Sequence, residues 1–137
     1  MLRRFASDEE FVWVGLCKEE LDITDALKVA EVLANENPFA IVNAAAYTAV
    51  DRAEEEESEA IKVNVEGLKT LAKACETQGI TLVHISTDYV FSGDDGGTES
   101  NPYSPNDTCS PGGVYGRTKR EGELALFASM SSTPHYI

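Results

Sequence analysis

The chain alternates between two kinds of apolar pattern: short unbroken runs, and longer stretches with apolar residues every three to four positions. Phe11-Val12-Trp13-Val14-Gly15-Leu16 is a short apolar, β-branched run and predicts a buried strand. Thr24 is placed to cap a helix from Asp25 to about Asn35, and the pattern assigns Leu27, Ala30 and Leu33 to its buried face. Pro38 ends that region, and Ala40-Ile41-Val42-Asn43 predicts a second strand. The acidic run Glu54-Glu55-Glu56-Glu57 reads as a solvated helix start, where carboxylates complement the helix dipole. Beyond it Ile61, Val65, Leu68, Ala72 and Cys75 recur at spacings of 4, 3, 4 and 3, which is one helical face. Gly79 suits the position just past that helix, and Thr81-Leu82-Val83-His84-Ile85 predicts a third strand. Residues 92–113, rich in Gly, Ser, Pro, Asp and Asn, predict one long loop. A last helix runs from about Tyr115 to Ala128. Pro134 breaks it, and His135-Tyr136-Ile137 predicts the beginning of another strand.

Strand, helix, strand, helix, strand, loop, helix is the order of an α/β protein with a parallel sheet and right-handed crossovers. The 137 residues leave room for one domain, and no internal repeat or linker divides them. A composition of 42% apolar and 26% charged residues is that of a globular chain. In such sheets ligands bind beyond the carboxyl ends of the strands. Those ends are Glu20-Leu21-Asp22-Ile23, Asn43-Ala44-Ala45-Ala46-Tyr47-Thr48 and Ser86-Thr87-Asp88-Tyr89. The net charge of −13 argues against nucleic acid and against an anionic membrane surface as partners, because no basic surface is available to either. It leaves a bound nucleotide open, since backbone amides can hold a diphosphate inside an acidic protein. No apolar run approaches the roughly 18 residues needed to span a bilayer. Met1-Leu2-Arg3-Arg4-Phe5 lacks the apolar stretch of a signal peptide. Cys17, Cys75 and Cys109 are odd in number and far apart, with neither zinc spacing nor a redox pair. A reduced, cytoplasmic setting is the expectation.

The candidate chemistry lies at the strand ends and on the last helix. Tyr115 and Lys119 are four apart and share a helical face. An ammonium beside a phenol, whose ordinary pKa is about 10, favours the phenolate and so lets the pair pass a proton near neutrality. The same spacing also arises in helices with no such role. Ser86 and Thr87 follow a buried strand, where a hydroxyl can donate to a substrate carbonyl or cap a turn. A second donor beside Tyr115 would stabilise charge growing on a carbonyl oxygen as hydride arrives. The small residues Ala44, Ala45 and Ala46 let a flat ligand approach the backbone, or serve ordinary packing. Asp22 can accept from an adenine amine, or begin the turn into the helix that follows. His84, between Val83 and Ile85, reads first as a hydrogen-bonded core histidine, and Asn64 as a structural bond to a neighbouring strand.

Taken together, Leu21-Asp22-Ile23-Thr24-Asp25, Val42-Asn43-Ala44-Ala45-Ala46-Tyr47-Thr48-Ala49-Val50-Asp51, His84-Ile85-Ser86-Thr87-Asp88-Tyr89-Val90-Phe91-Ser92-Gly93 and Val114-Tyr115-Gly116-Arg117-Thr118-Lys119 resemble the dTDP-4-dehydrorhamnose reductases, members of the extended short-chain dehydrogenase/reductases. Asn64-Val65-Glu66-Gly67 matches a further helix motif of the extended group. The resemblance covers about residues 1–137 and implies a Rossmann-like doubly wound parallel sheet, part of an NAD(P)-binding domain. It implies reduction of the 4-keto group of a nucleotide-linked deoxysugar, with NADPH or NADH as cofactor. Mg2+ is possible in the family, and the sequence offers no ligands for it. Tyr115 would be the proton donor, and Lys119 would bind the nicotinamide ribose and tune Tyr115. Thr87 would orient the carbonyl, with Asp88 and Tyr89 at the sugar-nucleotide site. Asp22 and Ile23 would flank the adenine, and Ala45, Ala46, Tyr47, Thr48 and Ile85 would contact the dinucleotide. A homodimer is a possible assembly.

Three departures shape further expectations. The family continues well past Ile137 into a substrate-binding domain, so these residues read as the middle of a reductase and its sheet as incomplete, with the first strand and the C-terminal part absent. The family opens with a strand and a G-x-x-G-x-x-G phosphate loop that these residues do not contain, and Met1–Ala6 resembles the end of the helix after that loop. On this reading the sheet has a gap between the strands Phe11–Leu16 and Thr81–Ile85. Gly112-Gly113 replaces the family's usual Leu-Asn, which predicts a less rigid approach to Tyr115. Three alternatives stand beside the reductase: a nucleotide-sugar epimerase or dehydratase, a non-catalytic homologue like the β subunit of methionine adenosyltransferase, and an inactive gene fragment. The Ser-Thr-Asp-Tyr-Val-Phe string favours the reductase over the first. The intact Thr87, Tyr115 and Lys119 argue against the second.

Overall fold

Three parallel strands organise this computed structural model, which describes residues 3–8, 11–94 and 96–137. In order the elements are β1 (Arg3–Asp8), β2 (Phe11–Gly15), α1 (Ala26–Glu36), β3 (Ala40–Asn43), α2 (Val50–Ala53), α3 (Glu57–Ile61), a π-helical stretch (Lys62–Gly67), α4 (Leu68–Gln78), β4 (Thr81–His84), a 3-10 turn (Asp88–Val90), α5 (Val114–Ser129) and β5 (His135–Tyr136). The sheet order is β3-β4-β5. Ala40 to Asn43 lie in register with Thr81 to His84, and Leu82 and Val83 pair with His135 and Tyr136. The core comprises Val29 and Leu33 of α1, Leu68, Leu71, Ala72 and Cys75 of α4, Ile80, Leu82 of β4, and Leu126 and Met130 at the end of α5. Burial pushes the Cys75 thiol up to about 12.

The α/β class, the parallel sheet and the later strands agree with the sequence, and five expectations are corrected. First, Arg3–Asp8 is a strand antiparallel to β2, not the end of a helix; Met1 and Leu2 lie outside the described residues. Second, β2 is not buried: Val12 is 68% and Trp13 52% exposed. Third, the expected gap is not observed, because β3 lies directly beside β4 and β2 pairs outside the sheet. Fourth, α1 is rotated about its axis. Leu27 is 85% exposed, and Val29 takes the core position together with Leu33. Fifth, Asp25, not Thr24, caps α1 by accepting from Lys28 N at 3.0 Å, because Asp22 Oδ1 holds both the amide and the hydroxyl of Thr24.

The Ile61-to-Cys75 face is real but its helix is not uniform. The backbone widens to π geometry at Lys62–Gly67 before α4 begins. Gly67 packs its bare Cα against Ile23, where a Cβ would meet Ile23 Cγ1 at 2.9 Å. Gly79 closes α4 at φ 69°, the left-handed conformation glycine adopts without cost.

Candidate functional site

Helix α5 carries Tyr115 and Lys119, and three devices fix where it starts and how it lies. Its N-cap, Gly113, has no side chain to offer, and the Val114 amide instead donates to Glu54 Oε1 at 2.8 Å. The Arg117 guanidinium reaches Glu57 at 2.9 Å. The acidic run is therefore only partly a solvated helix start, since two of its carboxylates hold α5 in place. The loose approach expected from Gly112-Gly113 is countered by the same Glu54 contact. The second device is Gly116, whose missing Cβ would fall on the Tyr89 carbonyl oxygen, so α5 seats directly on the 3-10 turn. There the rings of Tyr89 and Tyr115 meet edge to face at 5.6 Å. The third is Gly122, where a Cβ would fall on the Asn64 carbonyl in the π-helical stretch.

Asn64 then ties this helix to the end of β3. Its Oδ1 accepts from Tyr47 N at 2.8 Å, and its Nδ2 donates to Tyr47 O at 3.2 Å and to Thr118 Oγ1 at 3.0 Å. The Thr118 hydroxyl in turn donates to Tyr115 O at 2.9 Å. The structural bond expected of Asn64 is thus present, and it fixes the Ala44–Thr48 segment relative to Tyr115.

Lys119 is 2% exposed. Its Nζ donates to the Ile85 carbonyl at 2.7 Å and lies 3.2 Å from His84 Nε2. On the other side of the imidazole, Asn43 Nδ2 lies 3.1 Å from His84 Nδ1, and Asn43 Oδ1 accepts from Ala45 N at 3.1 Å. The lysine is held below its ordinary pKa by burial, opposed by the charge of Glu123. Burial is the main cause that pushes His84 down to about 4; a charge on the neighbouring lysine acts in the same direction, and the Asn43 backbone opposes both. His84 is a core histidine, as expected, and is in addition the direct neighbour of the candidate catalytic lysine.

Two clefts flank the strand ends. One, of about 1210 Å³, is lined among others by Asp22, Ile23, Ala45, Ala46, Tyr47 and Thr48. The other, of about 1000 Å³, is lined among others by Ser86, Thr87, Asp88, Tyr89, Arg120 and Glu123. The expected dinucleotide residues and the expected sugar-nucleotide residues thus fall into separate clefts. Tyr115, Lys119 and Ile85 line neither and stand where α5 meets the end of β4. Asp22 is held below its usual range by the Thr24 amide and hydroxyl, so its carboxylate is ionised. Tyr47 donates its hydroxyl to Glu56 Oε2 at 2.7 Å, which raises its pKa. Thr87 Oγ1 accepts from Tyr89 N at 3.3 Å and so also caps the 3-10 turn. Among the described residues no cluster of three or more His, Cys, Asp or Glu side chains is placed to hold a metal.

Residues not singled out in the sequence complete the site. Glu123, 5% exposed, accepts from the Ser86 hydroxyl and from Arg120 Nη1 at 2.7 Å. Ser86 is therefore engaged within the protein. Glu123 lies four residues beyond Lys119, a spacing that places both on one helix face. Glu54 and Gly122 carried no local signal, because their partners are distant in sequence.

Comparison with known proteins bears on the whole chain. Residues 1–137 match the family model described as the RmlD substrate binding domain. The chain is 44% identical over 116 residues to the dTDP-4-dehydrorhamnose reductase of Mycobacterium tuberculosis H37Rv, covering 85% of this chain and 38% of that one. It is 45% identical over 113 residues to the dTDP-4-keto-6-deoxy-D-glucose reductase of Streptomyces niveus, covering 82% and 38%. Among solved structures, the dTDP-4-dehydrorhamnose reductase of Bacillus anthracis in complex with NADP superposes with a TM-score of 0.79 at 35% identity, covering 88% of this chain and 41% of that one. The Clostridium acetobutylicum orthologue gives 0.75 at 40% identity, covering 87% and 40%. The chain thus spans about two fifths of the length of these relatives. With a model match across its full length and a Rossmann-like parallel sheet that superposes on theirs, the chain belongs to the RmlD substrate binding domain family.

Proposed function

We propose that these residues form part of the NAD(P)-binding Rossmann domain of a reductase acting on the 4-keto group of a nucleotide-linked deoxysugar, such as dTDP-4-dehydrorhamnose. The observation that carries this reading is the placement of Tyr115 and buried Lys119 on one face of α5, against the carboxyl end of β4 and between fixed neighbours. The names of the relatives, and the NADP bound to one of them, support the same reading.

The residues fit a dinucleotide on chemical grounds. The larger cleft is lined by alanines that follow β3 and by an ionised carboxylate, Asp22. In this reading Asp22 and Ile23 flank the adenine. Ala45, Ala46, Tyr47 and Thr48 line the remainder, Ile85 contacts the dinucleotide from the end of β4, and Lys119 meets the nicotinamide ribose. A reduced nicotinamide supplies a hydride when bound. Tyr115 gives its phenolic proton to the carbonyl oxygen, which becomes a hydroxyl, and Lys119 favours the resulting phenolate. Thr87 orients the carbonyl and shares its growing negative charge. Asp88 and Tyr89 contact the sugar nucleotide in the smaller cleft.

The test is a chimera in which this segment replaces its counterpart in the Mycobacterium tuberculosis relative. NADPH consumption is followed with dTDP-4-dehydrorhamnose as substrate. The reading predicts turnover within about tenfold of the parent, or about 1.4 kcal/mol of barrier. A folded chimera that binds NADPH and does not turn over overturns it.

A further inference from the structure

The hydrogen-bond chain behind Lys119 has a direction, and that direction sets a charge. Asn43 Oδ1 accepts from the backbone amide of Ala45 at 3.1 Å, a donor that cannot reverse. The side-chain amide is therefore oriented with Nδ2 towards His84 Nδ1, at 3.1 Å. An amide NH2 only donates, so Nδ1 must accept and carry no proton. A neutral imidazole bare at Nδ1 carries its proton on Nε2. That N–H faces Lys119 Nζ at 3.2 Å. An ammonium there would set donor against donor, whereas a neutral amine has the lone pair to accept.

We propose that Asn43 and His84 hold Lys119 as a neutral amine in the ligand-free protein, and that His84 is a positioning residue which reverses its tautomer when Lys119 becomes charged. As an amine, Lys119 still donates to the Ile85 carbonyl at 2.7 Å, so its own geometry is satisfied. The reverse state also has its partners. When Lys119 gains a proton, its ammonium donates to His84 Nε2, and Nδ1–H gives up the Asn43 Nδ2 contact for the Asn43 backbone carbonyl, which also accepts from Ile85 N at 3.1 Å and whose contact favours the protonated ring. That lost amide contact is why the neutral amine is the resting state. The balance is one proton taken up from solvent: the Nε2 proton passes to Lys119, and Nδ1 receives the new one. The device deepens the reductase reading and rests on it for its use, because it makes the tyrosine-tuning charge conditional.

The groups facing Lys119 are few. From β4 come His84 and the Ile85 carbonyl, and from β3, through His84, comes Asn43. On α5 itself are Tyr115 and Glu123, whose carboxylate Arg120 and Ser86 share. Burial disfavours the ammonium and Glu123 favours it, with burial the larger.

The test is nitrogen NMR of the ligand-free 137-residue chain, reading both imidazole nitrogens of each histidine and the Lys119 amine across pH. His135 is the internal reference. Its Nδ1 lies 3.3 Å from the Thr133 carbonyl, which only accepts, so it shows the Nδ1–H tautomer. His84 is expected to show the opposite tautomer, Nε2–H, with Lys119 Nζ in its amine form near neutral pH, well below the ordinary lysine value of about 10.4. An Nδ1-protonated His84, or a charged Lys119 at neutral pH, overturns the proposal. Asn43→Asp supplies a second reading, since a carboxylate keeps the Ala45 bond but can only accept, and His84 Nδ1 must become protonated. An Nδ1 still bare in a folded Asn43→Asp chain removes Asn43 from the device. If that variant does not fold, the wild-type tautomer decides alone. Neither measurement uses dinucleotide or sugar, so failure here leaves the reductase reading to its own assay.

Discussion

A lysine at 2% exposure beside a histidine at 3% is a costly arrangement, tolerated because every proton has a destination. Its cost is visible in acid. The folded chain holds His84 at about 4, against 6.5 in an unfolded chain, so between those values the unfolded state binds a proton that the folded state refuses. Stability therefore falls as pH drops from about 6.5 to about 4 and levels off below, by up to about 3 kcal/mol. Denaturant midpoints across that window check it, and His84→Gln flattens the slope. Glycines give a second prediction. Ala at Gly122 puts a Cβ onto the Asn64 backbone and is expected to cost about 1–3 kcal/mol. Ala at Gly112 meets nothing within 4 Å and stays within about 0.5 kcal/mol. Equal thermal shifts for the two contradict this account of α5 packing. Tyr115 and Lys119 were legible in the sequence because their relation is a local spacing on one helix. Glu54 was not, because its partner lies 60 residues away, and of Asn64 only the backbone bond was legible, its Thr118 partner lying 54 residues on.

Elements followed local signals wherever packing did not overrule them. β3 begins and ends where its apolar run does, and α5 spans one residue more at each end than its pattern. The failures have physical reasons. Leu27, Ala30 and Leu33 fit a helical period as well as Val29 and Leu33 do, and the choice between them is made by where α4 presents its core face. The π-helical widening at Lys62–Gly67 answers contacts with Ile23 and α5 that no local period encodes. β1 is defined by pairing with β2, a relation its own residues do not announce. At the far end, β5 depends on one side chain. Glu76 of α4 accepts from the amides of Ser131, Ser132 and Thr133, which lead into β5, and from the Ser131 hydroxyl. The Thr133 side chain first, and then these bonds, hold the Glu76 carboxyl down at about 2. Its contribution is present above the usual value of 4.5 and is lost as pH falls towards 2. Glu76→Gln is expected to speed hydrogen exchange at Leu82, whose amide donates to Pro134 O at 3.2 Å, above that range and not below it. Exchange unchanged in the variant detaches Glu76 from the sheet.

At the scale of the molecule, β3 is the outer strand of the parallel sheet among the described residues. Val42 is 48% and Phe39 74% exposed beside the larger cleft. A free strand edge with apolar neighbours invites pairing with another chain. The 137-residue chain is accordingly expected to self-associate in sedimentation velocity, and Val42→Lys to shift it towards monomer. A variant that sediments like the parent contradicts association through this edge. The α/β class and the parallel order were legible because alternating periods report them directly. The neighbour of β4 was not, because strand order is a property of the whole chain. No helix among the described residues is long and apolar enough to cross a membrane. The central claim concerns chemistry on α5, and kcat of the Tyr115→Phe chimera tests it most directly. The substitution removes a hydroxyl and keeps the ring against Tyr89. Loss of a general acid predicts a fall of about 10²–10⁴-fold, or roughly 3–5 kcal/mol of barrier, with NADPH affinity little changed. Retention of more than about a tenth of the parent's kcat would make Tyr115 a packing residue and contradict the mechanism.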